Sequence, residues 1–491
     1  MKEDETYNYK ELHKPSSEFV NRADYLEHEL SIMSPRRWRP NLPGHDYRFE
    51  YEDWVPAVAA TIGKIVMVAA VVSTFAAPLG LSNAFVIENV RFEMIIAAVL
   101  FVILFSGFLL PSANLAGTHG PLIPLIPLIV ASGGHPMALG ILIGVFGFAL
   151  TLFKGGSLLA RLTGDGVAGG LLLYLGFVGV TTQIGKLFSW ADGFDKGYIA
   201  FIVVMFAVIM YAYLEHIGKR WLSIPIGSAC AAIIAFVLGA PFEFTTEPSL
   251  PNMNPAYWWG ETTGWQLGLP SIEQFIAVAP FAVLAVAMWS PDFLGHRIFQ
   301  QINYPQSARK VIMDIDDTMG VASARQVVGT LLGGGNIASS WGTYLVPAAI
   351  AKRPIVGGAV LTGILCVAVA VIGYPIDIAI WPPVLSIALI VGVYLPLLEA
   401  GMQMTREGKT SQSAAIVVFS SALVNPVFGW SLTMLLDNIG IIGDKERCSQ
   451  LSRTDRWIIP AITFAVLVSV MALIGMFPGV PALLDSFRQL A

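Results

Sequence analysis

Apolar residues gather into long, nearly unbroken runs parted by short polar stretches. Most runs approach the roughly 20 residues that a helix needs to cross a bilayer. In the first half the pattern predicts spans over 56–77, 92–110, 136–153, 166–187, 197–214 and 221–239, with a short run at 119–131. A loop at 240–273 follows, rich in Pro and Trp ("PNMNPAYWWGETTGWQLGLP"). The second half predicts 274–291, 318–334, 355–373, 379–398, 412–436 and 457–477, with a short run at 341–351. The expected fold class is therefore an all-α polytopic membrane protein of about fourteen spans, seven in each half.

An odd count in each half sends the second half into the membrane upside down, and such inverted repeats are a mark of secondary transporters. Two interruptions fit this symmetry. "LLPSANLAGTHG" (Leu109–Gly120) and "LLGGGNIASSWG" (Leu331–Gly342) coincide without a gap at Leu109/Leu331, Leu110/Leu332, Asn114/Asn336, Ala116/Ala338 and Gly120/Gly342. Each precedes a run too short to cross the roughly 30 Å hydrocarbon core. Spans 3 and 10 thus read as half-helices preceded by short extended segments. Open backbone at that depth is tolerated only against protein or a cavity. Two half-helix N-termini with free N–H groups would point at a shared site. Pro121 suits a first helical turn.

Composition agrees with a membrane chain. Of 491 residues, 55% are hydrophobic and 13% charged, with mean hydropathy +0.66; soluble domains carry about 25% charged residues. The net charge of −5, without a basic patch, gives no reason to expect nucleic acid. Three cysteines, two of them inside apolar runs, argue against a disulfide framework. The polar start lacks a signal-peptide core. Lys and Arg gather in alternate loops (Lys154 and Arg161, Lys219 and Arg220, Arg297, Arg309, Lys352, Arg406), whereas 240–273 has none. The positive-inside rule then puts both termini in the cytoplasm, in the inner (plasma) membrane. One loop disagrees: Lys445, Arg447, Arg453 and Arg456 fall on the expected outer side. The expected units are a cytoplasmic tail at 1–55, repeats at 56–240 and 274–477 joined by an outer loop at 241–273, and a cytoplasmic tail at 478–491.

Several segments resemble one superfamily. "AGTHGPLIPLI" resembles the third-span motif of nucleobase–ascorbate and sulfate-permease (SulP) transporters, and "RLTGDGVAGGLLLYLGFVGV" the opening of their fifth span. "MWSPDFLGH" is similar to the eighth-span Glu-x-x-Gly-His of bacterial uracil permeases, with Asp292 for Glu and His296 for His. "NIASSWGTYL" resembles their tenth-span stretch, with Thr343 where those transporters carry a second carboxylate. The resemblance implies a core domain of spans 1–4 and 8–11 and a gate domain of spans 5–7 and 12–14. It also implies elevator-like motion and a homodimer. The sequence ends about 14 residues after the last predicted span, without the STAS domain usual in the sulfate-permease branch.

The substrate-binding residues expected on these grounds are Thr118, His119, Gly120, Asp292, His296, Ser340, Trp341, Gly342 and Thr343. A carboxylate at membrane depth usually lines a cavity, so Asp292 is also the expected proton carrier, oriented by His296 one turn on. Asp165 and the "MDIDDT" carboxylates read as helix starts, and Trp258, Trp259 and Trp265 as an outer interface belt. No Arg or Lys is assigned to the cavity. No P-loop, HExxH or Cys/His cluster is present, so an ATP-driven pump, a metal and a cofactor are not expected. The expected function is that of a secondary, proton-coupled carrier of the elevator type rather than an enzyme. Its substrate would be a small nucleobase-like or weakly acidic planar solute. The alternative is a small anion such as sulfate or bicarbonate.

Overall fold

So apolar a chain closes its backbone hydrogen bonds within helices. The computed structural model is 76% helix, with no strand among the described residues. It describes residues 9–33, 36–111, 120–152, 155–303, 312–335, 355–406 and 408–483. Within these it leaves aside the side chains at 120–121, 156–157, 160, 290–292, 294–296, 298–299, 302–303 and 355–356. Among the described residues eight helices are long and apolar enough to cross a membrane, or nine if one sharply bent pair is a single span. The protein is a multi-pass, all-α membrane protein.

An N-terminal helix, α1 (Arg22–Ile32), precedes the spans. The first half continues with α2 (Trp54–Ala76), α3 (Asn83–Leu109), the short α4 (Leu122–Ala131) and α5 (Pro136–Leu152). Then come α6 (Gly155–Asp192), α7 (Gly197–His216) and α8 (Ser223–Val237). A one-turn helix, α9 (Pro255–Trp259), lies in the Trp-rich loop. The second half holds α10 (Ile272–Asn303), α11 (Ile315–Leu331), α12 (Ile355–Ile372), α13 (Tyr374–Ile380) and α14 (Pro382–Met404). It closes with α15 (Gly408–Leu423), α16 (Pro426–Ile439), α17 (Lys445–Gln450) and α18 (Thr454–Leu473). Helices α2, α3, α5, α10, α11 and α12 pack chiefly on one another, and α6, α7, α8, α14, α15 and α16 form a second group.

Breaks follow local chemistry. Gly164 (φ 68°) kinks α6 where a Cβ would stand 2.9 Å from the Arg447 guanidinium. Gly373 (φ 80°) turns the chain by 88° between α12 and α13. Asn425 and Pro426 end α15 and start α16, with Asn425 Oδ1 accepting from the Val427 and Phe428 N–H groups. Glycine-type positive φ, an Asx cap and proline at the first turn each stop or restart a helix.

The last of these breaks corrects the single span expected at 412–436. Ser413 Oγ donates to Asp437 Oδ1 at 2.8 Å although the two lie 24 positions apart. A continuous helix would part them by about 36 Å. Gly429 packs on Ser421 and the Val417 carbonyl. Helices α15 and α16 are therefore two legs of a hairpin, about 24 and 21 Å long at 1.5 Å per residue. Both outer ends lie at one end of the bundle. Arg447 Nη1 donates to the Arg161 carbonyl at 2.7 Å, Arg161 pairs with Asp455 at 3.0 Å, and Lys409 pairs with Glu446 at 3.2 Å. The loop that disagreed with the charge pattern thus joins the other basic loops.

At the same arginine-rich end the N-terminal segment is tied down. Trp38 and Asn41 N–H groups donate to the Leu109 and Phe108 carbonyls, and Arg37 pairs with Asp317. The opposite end is closed by the 240–271 loop. There Trp258 and Trp265 are buried rather than spread along an interface belt, a second correction. The indole N–H of Trp265 donates to the Gly333 carbonyl (3.1 Å), and that of Trp259 to Leu331 (2.8 Å).

His135 secures the tryptophan end. Its Nδ1 accepts from the Met137 N–H and its Nε2 donates to the Gly268 carbonyl, both at 3.0 Å. That places the neutral ring in a site without solvent, and burial pushes its pKa down to about 4. Because the folded value lies below the unfolded one, the stabilisation is fully present above about pH 6.5. It is lost as pH falls towards 4, by about 3 kcal/mol at most. Melting curves from pH 7.5 to 4 are expected to show this slope in the wild type. His135→Gln should be less stable at neutral pH and show a flatter decline.

Candidate functional site

The two interruptions begin where helices lose their hydrogen-bond ladder. Helix α3 ends in a wide turn, with the Leu110 N–H donating to Phe105 O at 2.7 Å. Beyond residues 112–119 the chain resumes at Gly120 as a 3₁₀ turn, Gly120–Leu125, that leads into α4. Pro124 inside this turn lacks an N–H, so the tighter coil is natural there. In the second half α11 ends at Leu331, and Gly333 takes φ 115°. A Cβ on Gly333 would sit 2.2 Å from Trp258 Cβ, and one on Gly335 2.2 Å from Trp265 Cζ2. Both glycines are thus required by the tryptophans stacked over them.

The first half-helix and the described edge of the second interruption share one cavity. A small cavity is lined by Phe75 of α2, Leu122 and Ile126 of the first half-helix, Leu139, Gly140 and Ile143 of α5, and Gln326 and Gly335. Three glycines let α5 and α11 approach this closely. Cβ atoms on Gly140, Gly144 and Gly147 would fall 2.2–2.4 Å from Thr330, Val327 and Ser323. Close contact of this kind is how small residues bring membrane helices together.

Of the site residues expected from sequence, Thr118, His119, Ser340, Trp341, Gly342 and Thr343 lie outside the described residues. Gly120 opens the 3₁₀ turn beside the cavity-lining Leu122. Asp292 and His296 lie one turn apart on α10, and their side chains are outside the described part. The helix runs on to Asn303, so Asp292 lies within a helix rather than at its end.

Other assignments resolve as capping or bracing. Asp314 Oδ1 accepts from the Asp317 N–H at 2.9 Å, which makes "MDIDDT" a helix start. Glu399 accepts from Tyr211 Oη (2.7 Å) and pairs with Arg220 (2.5 Å). Arg91, buried, donates to the Ala370 and Ser249 carbonyls and pins the 240–271 loop. Among the described residues no three His, Cys, Asp or Glu gather as a metal site.

Sequence reasoning missed a buried polar group in the core. Lys64 of α2, Glu93 of α3 and Arg325 of α11 are 5%, 0% and 0% exposed. Lys64 lies within electrostatic reach of Arg325, and Arg325 of Glu93. Neither cation was among the site residues expected from the sequence. The available signal was a single charge inside each apolar run ("TIGKIVM", "FEMII", "ASARQVV"), because an intramembrane ionisable residue is a functional candidate by default.

No curated protein matches the chain. Over residues 2–484 the sequence matches the family described as "Protein of unknown function (DUF3360)", and the chain belongs to that family.

Proposed function

We propose that this protein is a secondary transporter that moves a small, negatively charged or weakly acidic solute by alternating access. The observation that carries the reading is that the first half-helix (Leu122, Ile126) and the described edge of the second interruption (Gly335) line one small cavity between α2, α4, α5 and α11. Two half-helix N-termini, the second of them expected from the sequence alone, would favour negative charge or an electron-rich carbonyl. Two buried cations, Lys64 and Arg325, tilt the substrate from the nucleobase-like solute towards the small anion weighed beside it. The nucleobase-like reading keeps one specific support, the Asp292/His296 pair on an unbroken α10.

In this reading the first helix group is the moving core and the second the gate, and the motion is elevator-like in a homodimer. Fourteen membrane-inserted segments are arranged as inverted repeats in spans 1–5 and 8–12. The α15–α16 hairpin departs from that symmetry. The arginine-rich end faces the cytoplasm of the inner (plasma) membrane, with the N-terminus on that side. A full crossing by α18 then carries residue 477 to the opposite side, which replaces the expectation that both termini are cytoplasmic.

Asp292 is the proposed proton carrier. In liposomes bearing an inward proton gradient, the wild type is expected to accumulate its solute, and a protonophore to abolish the accumulation. Asp292→Asn should retain equilibrative exchange while losing at least tenfold of the gradient-driven accumulation. Unchanged accumulation by this variant at every pH would remove Asp292 from the mechanism.

A further inference from the structure

Arg325 is the most anomalous side chain in the core. It is wholly buried, and none of its Nε, Nη1 and Nη2 atoms has a hydrogen-bond partner among the described residues. Buried polar groups are almost always paired, and an orphaned charge is the costliest exception. Glu93 lies within electrostatic reach but makes no hydrogen bond with it. Lys64 adds a second positive charge nearby instead of relieving the first. Its neighbour in the chain, Gln326, lines the cavity that the first half-helix shares with Gly335.

We propose that Arg325 binds the solute directly, and that this solute is a small carboxylate or oxoanion presenting two oxygens to the guanidinium. The inference rests on the transport reading for the location of the site, and deepens it by naming the chemical class. A guanidinium offers five N–H donors in a planar fork, which two oxygens of a carboxylate, bicarbonate or nitrate match in pairs. A halide accepts at one point only. A neutral ring carbonyl supplies one acceptor and no charge. The fork therefore selects geometry as well as sign, something a lysine at the same position does not reproduce.

The test uses the purified full-length protein, with thermal stabilisation read against acetate, bicarbonate, nitrate, chloride and uracil at matched ionic strength. Binding raises apparent stability by mass action. Acetate, bicarbonate or nitrate should stabilise the wild type at least tenfold more potently than chloride, and uracil should have less effect still. Arg325→Lys should weaken this response tenfold or more. Arg325→Met should abolish it while leaving the melting temperature without ligand close to that of the wild type, because the lost attraction to Glu93 is offset by relief of the repulsion from Lys64 and of the guanidinium's burial. A large drop in that melting temperature would show a structurally paired guanidinium and overturn the proposal. So would a wild-type response in Arg325→Lys, equal potency of chloride, or no anion response at all. The two readings fail separately. Anion binding without uptake in liposomes sinks transport and leaves this site standing, whereas uptake undiminished in Arg325→Met sinks this site and leaves transport standing.

Discussion

Gly144→Leu is expected to yield no stably folded protein. Gly144 lies where α5 touches the backbone of α11: a Cβ would stand 2.4 Å from Val327 Cγ2, 2.8 Å from the Ser323 carbonyl and 3.0 Å from the Val327 N. Two of those atoms are backbone and cannot turn aside. Even Gly144→Ala should cost about 1–3 kcal/mol, the usual range for overpacking a filled interior. Leucine would force the helices apart, and with them Leu139, Gly140, Ile143 and Gln326 around the cavity. Size-exclusion profiles and melting curves in detergent would check this. A Gly144→Leu protein that melts with the wild type would mean that α5 and α11 do not pack as described.

The second large effect is expected at the base of the hairpin. Asp437 is 4% exposed and accepts from Ser413 Oγ at 2.8 Å and from Arg447 Nη2. Arg447 also donates to Asn438 Oδ1 (3.1 Å) and the Arg161 carbonyl (2.7 Å), so one guanidinium holds both the hairpin and the kink of α6. Arg447→Ala strands a buried carboxylate, and breaking such a pair typically costs about 3–5 kcal/mol. Adding Asp437→Asn to that variant should recover part of the loss, since it removes the unpaired charge. A melting temperature within error of wild type for Arg447→Ala alone would place the hairpin base elsewhere.

The long apolar runs announced most of the helices because backbone groups in lipid have no outlet except a helix. The predicted 197–214 and 221–239 correspond to α7 and α8, and 457–477 to α18. Hydropathy failed at 412–436 because the apolar run continues through the turn. The stop lay in chemistry rather than hydropathy: Asn425-Pro426 is a turn and cap signal, and it outweighed the run around it. Trp258 and Trp265 misled for a different reason. A loop tryptophan at a membrane edge reads as an anchor, and only the hollows left by Gly333 and Gly335 let these two pack inward.

The site was legible in part. The paired interruptions marked where the cavity edges meet, through Leu122 and Ile126 on one side and Gly335 on the other. Lys64, Glu93 and Arg325 were not legible together. Lys64 and Glu93 lie on successive helices but Arg325 lies in the other half of the chain, and only tertiary packing brings their charges within reach. One charge per apolar run gives no periodic signal, although each was conspicuous singly by its cost in a membrane.

The central claim, that this chain carries solute by alternating access, is tested most directly by counterflow. Liposomes containing the purified protein would be preloaded with unlabelled bicarbonate or acetate, or with uracil, and labelled solute added outside. Alternating access predicts a saturable, transient accumulation of label that depends on the unlabelled solute within, for one member of that panel. Flux that rises linearly with concentration and ignores the inner solute would identify a conducting pore instead, and contradict the account.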